Sequence, residues 1–109
     1  KKLRKMAGIV EADTLMTGRL TLNYTDADCE GPVFGKTHLR GHEFHYSSIE
    51  NIASDSRFAY SMKKGKGVTG NQDGFIINEN SLAAYMHLHF ANRKLPERMV
   101  LSCVRYSRR

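Results

Sequence analysis

The sequence predicts a strand-rich fold that carries one helix at its C-terminal end. Three observations support this. Segments alternating between apolar and polar residues, the strand period of two, recur along the body of the chain. Glycine clusters punctuate those segments. Only the last stretch, beginning at Leu95, repeats its apolar residues at helical spacing. The 109 residues suffice for one small domain or a piece of a larger one. At 40% hydrophobic and 26% charged residues, the composition is that of a globular chain and not of a disordered one.

Taken in order, Leu3 to Leu15 has mixed helical and loop character, interrupted by Gly8. Leu20-Thr21-Leu22-Asn23-Tyr24 alternates cleanly and reads as a strand. Asp26 to Gly35 reads as turn material, with Gly31-Pro32 as punctuation. His38 to Ser47, read as a strand, sends His42, Phe44 and Tyr46 to one face and Glu43, His45 and Ser47 to the other. Residues 48–57 are polar and loop-like, and Phe58 to Met62 is a short strand. Lys63 to Gly74 is glycine-rich and leads into the short strand Phe75-Ile76-Ile77. After a turn at 78–80, Leu82 to Phe90 reads as one strand. It places Tyr85, His87 and His89 on one face and Met86, Leu88 and Phe90 on the other. Pro96 fits the first turn of the closing helix, whose buried stripe is predicted as Leu95, Met99, Val100, Cys103 and Val104.

The net charge of +6 sits mostly in three clusters. Lys1, Lys2, Arg4 and Lys5 lie at one end, Arg105, Arg108 and Arg109 at the other, and Lys63, Lys64 and Lys66 in the glycine-rich turn. No aromatic residues interleave with them in an RNA-binding pattern, which argues against a nucleic-acid partner. No apolar run approaches membrane-spanning length and no signal peptide is legible, so no membrane partner is expected and the cytoplasm is the expected compartment. The start at Lys-Lys-Leu suggests a processed chain or an excised fragment. Cys29 falls in an acidic turn, where carboxylates raise a thiol pKa, and Cys103 reads as core. Neither reads as a catalytic thiol, and two scattered cysteines make no zinc knuckle or disulfide scaffold.

Gly65-Lys66-Gly67-Val68-Thr69-Gly70 formally matches a dinucleotide-binding fingerprint. That motif needs a helix opening within it, and here a strand follows, so it reads as a hairpin turn. His42-Glu43-Phe44-His45 is one residue short of the helical zinc motif. A strand-borne alternative stays open, in which Glu43 and His45 meet His87 and His89 around a divalent metal. Imidazoles held on a strand suit proton transfer near neutral pH, metal ligation or plain structural hydrogen bonding.

The run Arg40-Gly41-His42-Glu43-Phe44-His45-Tyr46-Ser47, then Asp73-Gly74, then Tyr85-Met86-His87-Leu88-His89-Phe90, resembles the C-terminal part of the cobyrinic acid a,c-diamide synthase family. Arg19-Leu20 and Lys66-Gly67-Val68 sit where that family has them, and the resemblance runs from about Gly8 to Arg98. It implies an α/β fold: the strand-rich C-terminal portion of a class I glutamine amidotransferase-like, flavodoxin-like domain, with a mixed sheet and a C-terminal helix. It also implies that residues 1–109 are a partial segment, with the nucleophile-bearing half and an ATP-dependent synthetase domain lying upstream.

On that resemblance, glutamine is the partner and His87 the catalytic acid and base, because a related family keeps a Tyr-x-His-x-x-Phe run. Ordinary class I glutaminases carry a glutamate two residues beyond that histidine; here the position is His89. Glu43 and His45 become candidate substrate-binding residues, and no metal site is assigned. ATP and magnesium belong to the synthetase domain, with no cofactor in this segment. The substrate of the whole enzyme is a tetrapyrrole, and a nickel-sirohydrochlorin a,c-diamide synthase fits the same residues. The segment alone is expected to be inactive. It is also expected to self-associate as a homo-oligomer through the outer faces of strands 20–24 and 82–90.

Overall fold

The computed structural model describes residues 3–91 and 94–108; Lys1, Lys2 and Arg109 of the basic termini lie outside the described residues. Among the described residues six strands and one helix follow in order: β1 (Asp13–Cys29), β2 (Thr37–Glu50), β3 (Phe58–Lys64), β4 (Gln72–Asn78), β5 (Ser81–Ala83), β6 (His87–Leu88) and α1 (Lys94–Ser107). The sheet order is β5-β4-β3-β1-β2-β6. The strand-rich reading with one closing helix holds, while every pairing among the described residues is antiparallel where the resemblance implied a mixed sheet.

β1 is longer than its sequence signal. Asp26 to Cys29, expected as turn, pairs with both β2 and β3. The cause is visible in alternation: Thr25, Ala27 and Cys29 are buried while Tyr24 and Asp28 are exposed. The acidic residues that suggested a turn hold a surface ion cluster instead. His38 Nε2 lies 2.8 Å from Asp26 Oδ1, and Lys63 Nζ 3.3 Å from Asp28 Oδ2. The actual reversal is residues 30–36, closed by Gly35 N–H donating to the Gly31 carbonyl at 3.1 Å.

The expected strand over 82–90 is two short strands on different neighbours. β5 pairs with β4, and β6 with β2. A flat six-stranded sheet would separate those edges by about 24 Å, at about 4.8 Å per strand. The chain from Ala83 to His87 reaches at most about 14 Å. The sheet is therefore rolled until its two edges face each other, and residues 84–86 cross the seam. Met86 points inward there, 4% exposed, and packs with Ala27, Cys29, Phe34, Leu39, Ala59, Tyr60, Met62 and Leu95.

α1 touches this core at one end only. Leu95 is buried, and Arg98 Nη1 donates to the carbonyls of Phe34 and Lys36 at 2.7 and 2.9 Å. Met99, Val100, Cys103 and Val104 are exposed, so the buried stripe read from helical spacing, Cys103 included, is not formed. Among the described residues no helix is long and apolar enough to cross a membrane.

Burial has a titration consequence. It pushes the Cys29 thiol from 9.0 up to about 11, against a small opposing pull from Arg98, and pushes the Tyr60 phenol upward as well. Between pH 9 and 11 the unfolded chain gives up the thiol proton while the folded chain keeps it. Stability is thus complete below pH 9 and falls as pH rises, by up to ~1.4 kcal/mol per unit for this group. Urea unfolding midpoints between pH 8 and 11 should decline in this way, and more shallowly in Cys29→Ala.

Candidate functional site

Antiparallel pairing places directly opposed residues on the same face. Tyr24 opposes His42, and His42 opposes His87, so the three form one row across β1, β2 and β6 on the outer face of the sheet. The rings of His42 and His87 meet edge to face, with centroids 4.9 Å apart, and His89 approaches His42 at 5.7 Å. His42 is half-buried; His87 and His89 are exposed. The close approach of β6 requires Gly41, because a Cβ there would fall inside the carbonyl of His87. Exposed Leu22, Phe44 and Tyr46 share that face, and Phe90 just beyond β6 is exposed as well.

Glu43 and His45 occupy the opposite face. Glu43 is fully buried and its carboxylate is engaged within the chain. It accepts from Asn23 Nδ2 at 2.9 Å, from the amides of Lys66 and Gly67 at 2.7 and 3.1 Å, and contacts His45 Nε2 at 3.2 Å. Burial pushes the Glu43 carboxyl upward, but those amides with Asn23 and His45 outweigh it and hold it below the usual range. The glycine-rich turn therefore does present amides to an anion, with Gly67 at φ 69°, but the anion is the chain's own Glu43. Val68 N–H donates to the Gln72 carbonyl at 2.8 Å, which confirms the hairpin-turn reading.

His45 stacks on Tyr85 with centroids 3.7 Å apart, and the Tyr85 hydroxyl shares a hydrogen with Ser47 Oγ at 2.6 Å. Because Glu43 and His45 face inward while His87 and His89 face outward, the four-residue metal alternative is corrected. Among the described residues no group of three or more potential ligands is placed to hold a metal ion. The same opposition keeps Glu43 from orienting the His87 imidazole.

A second buried carboxylate escaped sequence reading. Asp73, fully buried on β4, accepts from the amides of Gly74, Tyr85 and Met86 at 2.9, 3.1 and 2.9 Å. Burial raises its pKa against the pull of those amides. Its only signal in the sequence was Asp73-Gly74 standing among the residues that carry the family resemblance. A groove of about 530 Å³ between residues 31–35 and α1, lined by Phe34, Arg98, Leu101 and Arg105, lies apart from the histidine row.

Comparison with known proteins matches residues 2–95 to the CobB/CobQ-like glutamine amidotransferase domain. The cobyrinate a,c-diamide synthase of Methanosphaera stadtmanae is 42% identical over 91 residues, covering 79% of this chain and 20% of its own length. Those of Sulfurisphaera tokodaii and Halobacterium salinarum are 35% and 39% identical over 96 and 90 residues. They cover 85% and 78% of this chain, and 22% and 20% of theirs. The chain thus spans about a fifth of the length of the curated relatives it matches. No solved structure matches.

Proposed function

We propose, from the premise that this chain belongs to the CobB/CobQ-like glutamine amidotransferase domain family, that it supplies the histidine side of a glutaminase site. His87 takes the proton from a cysteine thiol, and the thiolate attacks the glutamine carboxamide carbon. His87 returns the proton to nitrogen as the C–N bond breaks and ammonia leaves. It then draws a proton from water, which cleaves the C–S bond of the thioester to give glutamate and the free thiol. The observation that carries this reading is the exposed His87 imidazole, whose ring meets that of His42 edge to face on the outer side of the sheet.

The thiol comes from outside the described residues. Cys29 faces the core with its proton held to about pH 11, and Cys103 is on α1, whose only buried residue is Leu95. Glu43 and His45, expected at the substrate, act through the fold by fastening the glycine-rich turn and the Tyr85 ring. In the complete enzyme the ammonia amidates the a and c acetate side chains of a corrinoid. The curated relatives' names support the corrinoid over the nickel-sirohydrochlorin alternative. ATP activates those carboxylates with magnesium in a separate synthetase unit.

The test is ammonia release from glutamine. The 109-residue chain alone is expected to release none, whereas a polypeptide of the relatives' length carrying this segment releases it through His87. Release by the short chain that His87→Ala abolishes would falsify the two-part site.

Until covered, the apolar outer face should drive self-association. Light scattering at rising concentration is expected to show dimers or larger species, weakened by Phe44→Ser with Tyr24→Ser. A monomer throughout the range rules this out.

A further inference from the structure

We infer that Asp73 is a positioning residue for His87, acting through the backbone of the seam; the inference rests on His87 being the proton-transferring group. Residues 84–86 cross between the two sheet edges and belong to neither ladder. Two of their amides, those of Tyr85 and Met86, go instead to the two oxygens of one carboxylate, Asp73 Oδ1 and Oδ2. The residue after Met86 is His87. A fully buried carboxylate is costly unless its oxygens are met by donors, so its placement beneath a non-strand backbone fixes that backbone tightly.

The rest of the seam leans on the same point. Met86 plugs the core, and the Tyr85 ring stacks on His45 while its hydroxyl bonds Ser47 Oγ. β6 itself contributes only two paired residues, Gly41↔Leu88 and His42↔His87, and His89 N–H donating to the Arg40 carbonyl at 3.0 Å. So short a ladder leaves the angle of the His87 side chain to be set from the preceding residues. Asp73 lies on β4, next to the far edge strand β5 of the rolled sheet, which means the His42–His87 ring contact reports on closure of the whole roll.

Asp73→Asn keeps the shape but replaces one acceptor oxygen by a donor facing an N–H. In the isotope-labelled 109-residue chain, the expected result is loss of the nuclear Overhauser contact between the His42 and His87 rings. Amide exchange at Tyr85 and Met86 should accelerate at least about tenfold, as expected for a local opening, while β1 and β2 stay protected. Tyr85→Phe, which cuts only the tie to Ser47, should leave the ring contact in place.

Retention of that contact in a folded Asp73→Asn chain overturns the inference. So does displacement by Tyr85→Phe alone, or unfolding of Asp73→Asn throughout, which would make the carboxylate a general fold element. In a full-length amidotransferase carrying the segment, Asp73→Asn should lower kcat for ammonia release and leave the KM for glutamine within about twofold, the pattern of a lost transition-state interaction. Should His87→Ala leave that activity intact, the glutaminase reading fails while the ring-contact measurement still decides the role of Asp73.

Discussion

Alanine at position 87 should lower glutamine-dependent ammonia release about 100- to 10,000-fold, the usual worth of a positioned general acid and base. The assay belongs in a polypeptide of the relatives' length, since the chain spans about a fifth of them. The loss should appear in kcat, with the KM for glutamine little changed, because proton transfer is made in the transition state and not in the bound ground state. The His87 ring is exposed and meets the His42 ring edge to face, so truncation removes chemistry and little packing. Unfolding midpoints for His87→Ala should accordingly stay within about 0.5 kcal/mol of the parent. A rate loss shared equally by His89→Ala would shift the assignment toward the pair.

The second large effect is on stability. Glu43→Ala should cost about 3–5 kcal/mol, the range for breaking a buried, hydrogen-bonded charge arrangement by removing one partner. It strands Asn23 Nδ2, the amides of Lys66 and Gly67, and a nitrogen of His45, around a carboxylate that is itself fully buried. A domain of this size has only about 5–15 kcal/mol in total, so the variant should be marginal at 37 °C.

Since the Glu43 pKa is held down, its stabilisation is present above the ordinary carboxylate pKa and is lost as pH falls through the folded-state value. The raised pKa of Asp73 has the opposite sign, its stabilisation lying at low pH and fading as pH rises. Urea titrations of the parent, Glu43→Ala and Asp73→Asn across the acid range separate the two. If Glu43 serves the substrate instead, Glu43→Ala keeps its midpoint and loses glutamine affinity.

Much of the face assignment was legible in the sequence, because period-two alternation reports which side chains share a face whatever the partner strand. His42, Phe44 and Tyr46 did separate from Glu43, His45 and Ser47, and His87 did point outward, but Tyr85, expected on the face of His87, stacks on the inward His45. Alternation is silent about which edge a strand joins, so 82–90 looked continuous although residues 84–86 change neighbours. Asp73 was illegible because a carboxylate bonding to backbone amides leaves no trace in the residues it holds. Helical spacing likewise predicted a stripe on α1, but spacing cannot say whether anything lies opposite, and beyond Leu95 the helix meets little.

The rolled seam also bears on how copies of the chain can meet. The two edge strands have three and two residues and turn toward each other, so they offer almost no open ladder of N–H and C=O groups to an incoming strand. Growth by strand addition is blunted at β5 and β6, whereas β1 before Asp26 pairs only with β2, and β2 beyond His42 pairs only with β1, so the open ladder lies along that hairpin. Contact between copies is left to the exposed aromatic face and to the one-sided length of the β1–β2 hairpin, not to the two ends of the sheet order.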